Sequence, residues 1–365
     1  MIHCLYGYDV GLTSPLSSQL VAEQTVTSEQ ISWVASALVL GQISGSFLGS
    51  IVPNKLGRKT GCQLCACLSL LSWSLMAASQ YDWMIFLGRF LTGLFDSLPV
   101  PGAVMYVSEV TEITYRGSFL NSTTIASGLG IALGLLCGSN LHWRFACIIP
   151  IVKTLLILGT LSYCYESPVY LLMKARDPER ILAWYRQENQ ETKKDVGKEL
   201  GEMRASAVGG DDDLRSSIKK LFSGINCKAF TILFVIFTLY PLTGVYSIVF
   251  FAIDLFAQLG LSSAVVVAVI SALLRCVGTA LSSALLFRFG RRNIMVISTA
   301  TCGLLNGVAG GLIILRDHIS SDTIVSWTLT VLIMVIMFCV GLSIVGFPWI
   351  LMGNMCSYSS PLALF

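Results

Sequence analysis

Charge is what this sequence has least of. Only 12% of its 365 residues are Asp, Glu, Lys or Arg, where a soluble domain carries about 25%. The hydrophobic share is 54% and the mean hydropathy +0.73. That balance excludes an ordinary soluble globular class and predicts a polytopic membrane protein in a lipid bilayer. Histidine is also scarce, and His3, His142 and His318 all stand near the ends of apolar runs. There is no nucleophile–base arrangement, no Gly-rich loop after a strand and no phosphate cradle, so nothing suggests an enzyme. Most of the 12 cysteines fall inside apolar runs. Cys62, Cys65 and Cys67 have no histidine nearby and read as packing, so no metal site, cofactor or disulfide framework is expected. No nucleic-acid partner is expected either. Met1 to Val10 lacks the basic n-region and small-residue cleavage site of a signal peptide. Gly7-Tyr8-Asp9 reads instead as the middle of a first span clipped at its N-terminus.

What is present is a short basic turn that occurs twice. Asn54-Lys55-Leu56-Gly57-Arg58-Lys59 and Phe287-Arg288-Phe289-Gly290-Arg291-Arg292 share the order basic, apolar, Gly, Arg, basic. Each follows one long apolar run and precedes another. Inner loops of any membrane protein carry Lys and Arg, which explains the charge but not the shared order around Gly. Two repeated halves of common origin explain both.

A span needs about 20 mostly apolar residues. Ten segments meet that rule, near 1–20 (partial), 30–52, 60–80, 83–107, 117–138, 143–165, 228–252, 262–287, 293–315 and 324–352. The division is an N-terminal transmembrane half at 1–165, a linker with surface helices at 166–227, a C-terminal half of four helices at 228–352, and a tail at 353–365. Gly41, Gly45 and Gly49 form a small-residue stripe that lets helices approach closely. On this assignment 19 of the 24 cations share one side, which makes the linker and the C-terminus cytoplasmic. Trp33, Trp83, Trp143 and Trp327 then fall near the outer ends of spans, as interface anchors do. Asn121-Ser122-Thr123 fits the glycosylation triplet but lies on the inner side or just inside the membrane, and is discounted. In the linker, Pro178 precedes one or two expected surface helices over 178–205, and Gly209-Gly210 is a break. Asp211-Asp212-Asp213 lacks the later ligands of a calcium loop.

Ionisable residues inside spans carry the functional information. A charge at the bilayer centre costs about 2.5–3.5 kcal/mol on translocon scales, so such groups tend to be paired and functional. Asp9, Arg89, Asp96 and Arg275 stand out. Asp9 and Arg89 can pair, and a conformational change that separated them would favour proton uptake. A static structural ion pair is the alternative. Asp96 and Arg275 stand at mid-helix, where either can face a water-filled cavity. Arg275 either meets a carbonyl or acid, or faces substrate.

Taken in order, these features resemble the sugar porter family of the major facilitator superfamily, with a look closest to its arthropod trehalose-transporter-like branch. The resemblance rests on Gly7-Tyr8-Asp9, Ser32-Trp33-Val34-Ala35-Ser36, both basic turns, Gly88-Arg89 with Gly93, and Tyr106, Glu109, Arg116 and Gly117. It continues through Glu166-Ser167-Pro168, Thr243-Gly244 and Pro348-Trp349. It implies an all-α major facilitator fold of two pseudo-symmetric helix bundles, with about ten of twelve helices present. It also implies transport of a hexose or trehalose-like sugar by alternating access, facilitative or proton-coupled through Asp9 and Arg89.

Departures from the family pattern bear on the substrate. Thr124 stands at the helix-five Gln, Tyr240-Pro241 at the Gln-Gln of helix seven and Tyr246 at its Asn. Losing a buried hydrogen-bond partner costs about 1–3 kcal/mol, so these changes alter substrate choice. The expected substrate residues are Thr124, Tyr240, Thr243, Tyr246, Trp349 and Arg275. The expected cytoplasmic gate is Arg58, Lys59, Glu109, Arg116, Glu166, Arg291 and Arg292. A carrier of another small organic solute, or a non-transporting sensor or truncated product, remains open. The short first helix and the stop after ten spans suggest a fragment, an alternative product or a decayed copy. The plasma membrane is the expected location.

Overall fold

The computed structural model describes residues 1–24, 27–49, 51–111, 113–174, 178–185, 197, 201, 224–261, 263–289, 291–315, 322–346 and 348. The helices are α1 (Ile2–Ala22), α2 (Ser28–Gly49), α3 (Val52–Leu56), α4 (Arg58–Ala77), α5 (Asp82–Ser97) and α6 (Pro99–Val110). There follow α7 (Ile113–Asn140), α8 (Trp143–Ala146), α9 (Ile148–Tyr163), α10 (Pro168–Met173) and α11 (Glu179–Tyr185). The second half has α12 (Gly224–Leu242), α13 (Val245–Phe250), α14 (Ala252–Gln258), α15 (Ala264–Phe289), α16 (Arg291–Ile314) and α17 (Asp322–Cys339). A π-turn at Val340–Ile344 continues α17.

Helix is the expected solution, because in lipid each backbone N–H and C=O must be satisfied within its own segment. Eight described helical runs are long and apolar enough to cross a membrane. The first of the ten expected spans, α1, is diluted by Asp9 and several Ser and Thr, but its 21 residues reach about 31 Å at 1.5 Å per residue. The seventh begins in α12, whose shorter apolar run is Thr231–Leu242. Besides the seventh, two expected single spans are divided. Leu98 separates α5 from α6, both of which keep helical direction, and Cys147 separates α8 from α9. In the linker, α11 and the single helical residues 197 and 201 are the described part of the expected surface helices. Gly209-Gly210, Asp211–Asp213, His318 and the tail lie outside the described residues.

Glycine decides which helices meet. The stripe on α2 packs against α5: a Cβ on Gly41 would strike the Phe90 carbonyl, and one on Gly45 the Leu94 carbonyl and Ser97 hydroxyl. Gly93 of α5 returns the contact to the Leu38 carbonyl. The second half repeats the device, with Gly278 of α15 on the Phe338 carbonyl and Gly341 on the Arg275 carbonyl. The second membrane helix of each half thus packs on the fourth at backbone distance, as two halves of common origin require. In the first half, Gly7 and Gly11 of α1 and Gly130 and Gly134 of α7 make a further interlock.

The halves meet where α7 packs on α15 and α1 packs on α13 and α14. One apolar cluster spans that seam, joining Val10, Leu38, Ile131 and Leu135 to Phe256, Ala268, Ile336 and Val340. Large apolar side chains such as Phe47, Leu71 and Ile314 point outward, which suits a surface solvated by lipid. Trp33, Trp83 and Trp327 are exposed as anchors should be. Trp143 is not: it is buried, and its Nε1–H donates to Glu23 Oε2 at 3.0 Å. Its indole ties α8 to the end of α1, because a donor withdrawn from the interface takes the nearest carboxylate.

Candidate functional site

At the heart of the first half, Arg89 of α5 donates from Nη1 to Asp9 Oδ1 of α1 at 2.8 Å. Its Nη2 donates to Thr13 Oγ1 at 2.5 Å. Both charged side chains are fully buried. Thr13 sits one helical turn beyond Asp9, so one guanidinium spans two α1 residues on the same face. The expected pair is therefore present. Asp96, also buried, accepts from Ser69 Oγ at 2.6 Å. It lines a small cavity with Ile2, Leu5, Ser69 and Phe95, with room for about one water molecule.

Among the expected substrate residues, Tyr240, Tyr246, Thr124 and Arg275 stand on the helices of the seam between the halves. The seventh span is broken: α12 ends at Leu242, Gly244 takes φ +77°, and α13 starts at Val245. Only glycine adopts that left-handed backbone without strain, which accounts for Gly in Thr243-Gly244. Thr243 Oγ1 donates to the Tyr240 carbonyl at 2.7 Å, which also accepts from the Thr243 amide at 3.2 Å. Across the break Tyr240 and Tyr246 meet edge to face, centroids 5.5 Å apart. Tyr6 of α1 neighbours both. Arg275 of α15 is within electrostatic reach of Tyr240, and its Nη2 lies beside Gly128 of α7. Thr124, one turn before Gly128, is buried with its hydroxyl unpartnered among the described residues. Trp349 lies outside the described residues.

The bundle end carrying the 54–59 turn holds the expected gate residues of the first half. Arg58 Nη2 donates to Glu109 Oε1 at 3.0 Å and Nη1 to the Pro53 carbonyl at 3.2 Å. Ser167 donates to the other Glu109 oxygen. Glu166 caps α4, accepting from the Lys59 amide at 2.9 Å, the Thr60 amide at 3.4 Å and the Ser167 amide at 3.1 Å. A carboxylate at a helix N-terminus satisfies free amides and meets the positive end of the dipole. Lys59 thus serves Glu166 through its backbone, while its ammonium donates to the Ser162 carbonyl at 3.4 Å. Glu166, expected as a gate residue, is a helix cap here. Gly57 has φ +103°, and a Cβ on it would lie 2.5 Å from Glu166 Oε2. The turn therefore needs Gly both for its backbone and for close approach. The side chains of Arg116, Arg291 and Arg292 lie outside the described structure.

At the opposite end, two hydrogen bonds join the halves. Ser18 Oγ of α1 donates to Asp254 Oδ1 of α14 at 3.1 Å, and the Ile253 amide donates to Ser14 Oγ at 3.0 Å. Sequence reasoning missed this latch, since serines and an aspartate 236 positions apart carry no local mark. It also missed Lys153 of α9, whose Nζ donates to the Cys4 carbonyl at 3.3 Å and lies 5.1 Å from the Tyr8 ring centre. The rule that singled out Asp9 applies to Lys153 as well. Tyr6 stands one residue before the Gly7-Tyr8-Asp9 triplet and has no charge to distinguish it.

Two helical bundles joined face to face, a buried ion pair in the first and a broken helix at the seam define a membrane solute carrier of the major facilitator fold. The chain belongs to the sugar (and other) transporter family, whose model matches residues 1–360. It is 26% identical over 358 residues to the facilitated trehalose transporter Tret1 of Bombyx mori, covering 95% of this chain and 69% of that protein. It is 34% identical over 191 residues to human solute carrier family 2, facilitated glucose transporter member 6, covering 50% of this chain and 37% of that one. Its fold is similar to the partially occluded inward-open form of the Escherichia coli xylose transporter XylE. That match has TM-score 0.77 and 17% identity, over 97% of this chain and 85% of the other.

Proposed function

We propose that this chain carries a sugar-sized polar solute across a membrane by alternating access, with substrate held at the break in the seventh span. The observation that carries the reading is the group of Tyr6, Tyr240 and Tyr246, contributed by both halves and packed together at the seam beside the break. Tyrosine rings offer apolar faces to a sugar ring and hydroxyls to its OH groups. Relatives named as trehalose and glucose transporters support a sugar as the solute.

Asp9 and Arg89 are the proposed proton-coupling pair, and the Arg58–Glu109 and Glu166 contacts are part of the inner gate, joined by Arg116, Arg291 and Arg292 as the halves rock. The basic turns and the linker face the cytoplasm, by the positive-inside rule, and the plasma membrane is the proposed site. Binding to the purified full chain tests the reading. Glucose or trehalose should raise its melting temperature, and Tyr246→Ala should abolish that rise. Equal stabilisation of wild type and Tyr246→Ala, or none by any sugar, would contradict it.

A further inference from the structure

Arg275 is a cation buried in the seam with no acid to meet it among the described residues. Its residue is 6% exposed, and Nη2 has no hydrogen-bond partner among the described residues. None of the ion pairs found among those residues includes it: Arg89 holds Asp9, Arg58 holds Glu109, and His142 meets Glu23. Asp96 is engaged by Ser69, and Asp254 by Ser18. The backbone of Arg275 is held from behind, because Gly341 brings the π-turn onto the Arg275 carbonyl and Thr279 Oγ1 donates to that same carbonyl at 2.9 Å. Its Nη2 lies against α7, where a Cβ added to Gly128 would stand 3.4 Å from it and 2.5 Å from Cys276 Sγ. One turn away on α7, the Thr124 hydroxyl is also buried without a described partner. Tyr240 is within electrostatic reach of the guanidinium.

A buried guanidinium whose Nη2 has no described partner asks for an oxyanion. Guanidinium presents a planar fork that matches a carboxylate in two parallel bonds, and burial strengthens each of them. A neutral sugar can accept from that fork but supplies no charge to it. We propose that the solute bears a carboxylate, a sugar acid of hexuronate type, with its carboxylate on Arg275 and Thr124 and its ring against Tyr240 and Tyr246. This inference rests on the carrier reading above and names the solute class of the same site.

The test uses the purified full chain in detergent, with D-glucuronate and D-glucose as probes, in wild type, Arg275→Gln and Arg275→Lys. Folding of each variant is checked by size-exclusion chromatography. Wild type should bind glucuronate at least tenfold tighter than glucose. Arg275→Gln should lose that preference by tenfold or more, and Arg275→Lys should recover part of it, as a point charge without the fork. Glucose bound with glucuronate ignored would overturn the inference and leave the carrier reading intact. Neither probe bound would overturn both. Glucuronate bound equally by wild type and Arg275→Gln would show that Arg275 does not hold the carboxylate.

Discussion

Arg89 reaches across from the fourth span to bind Asp9 and Thr13 together, with its guanidinium and the Asp9 carboxylate sealed from solvent. Removing one partner of such a pair strands a buried charge. Asp9→Ala should therefore destabilise the protein by about 3–5 kcal/mol, whereas replacing both (Asp9→Asn with Arg89→Gln) should recover most of the loss. Thermal melting in detergent checks this. If the pair couples protons to solute movement, uptake by Asp9→Asn should no longer vary with external pH. A pH profile that survives the substitution would leave the pair a purely structural role.

The turn at 54–59 makes a separate prediction. Gly57→Ala meets both a left-handed backbone and the Glu166 carboxylate, and should cost about 1–3 kcal/mol. Gly159 of α9 has no neighbour within 4 Å of an added Cβ. Gly159→Ala should be neutral or mildly stabilising, because the helix loses less backbone entropy. Paired melting curves for the two variants separate local conformation from a general response to alanine.

Glu166 is predicted to act as a helix cap. Glu166→Ala should cost about 0.5–2 kcal/mol, the range for losing an N-terminal cap. Hydrogen exchange should quicken at the Lys59 and Thr60 amides, which Glu166 accepts from directly. Lys59→Met should leave those amides protected, since the backbone and not the ammonium meets the carboxylate.

The Ser18–Asp254 and Ser14–Ile253 hydrogen bonds hold the two halves together at the end opposite the basic turns. Ser18→Ala should weaken that closure by about 1 kcal/mol, enough to change the closed-to-open ratio roughly fivefold. Faster hydrogen exchange over 252–258, with α4 and α5 unchanged, is the expected signature.

Much of this was legible in the chain itself. Charges inside apolar runs are costly, so Asp9 and Arg89 announced themselves. Both basic turns marked equivalent hairpins, and the stripe at Gly41, Gly45 and Gly49 marked a close helix contact. What stayed hidden depends on which elements meet in space. Trp143 stands where an anchor would, yet its indole turns inward because Glu23 of α1 is within reach. Lys59 carries a charge that suggests an ion pair, but helix geometry puts its amide on Glu166. Tyr6, Ser18 and Asp254 gain a role only when α1 is laid against α13 and α14, a contact no local pattern encodes.

The most direct test of the account is counterflow uptake by the full chain in proteoliposomes preloaded with unlabelled glucose or glucuronate, using the same compound radiolabelled outside. The account predicts transient accumulation of label above equilibrium for wild type and none for Tyr246→Ala, which lacks a ring at the broken seventh span. Uptake no faster than in empty liposomes for both compounds, or equal uptake by wild type and Tyr246→Ala, would contradict it.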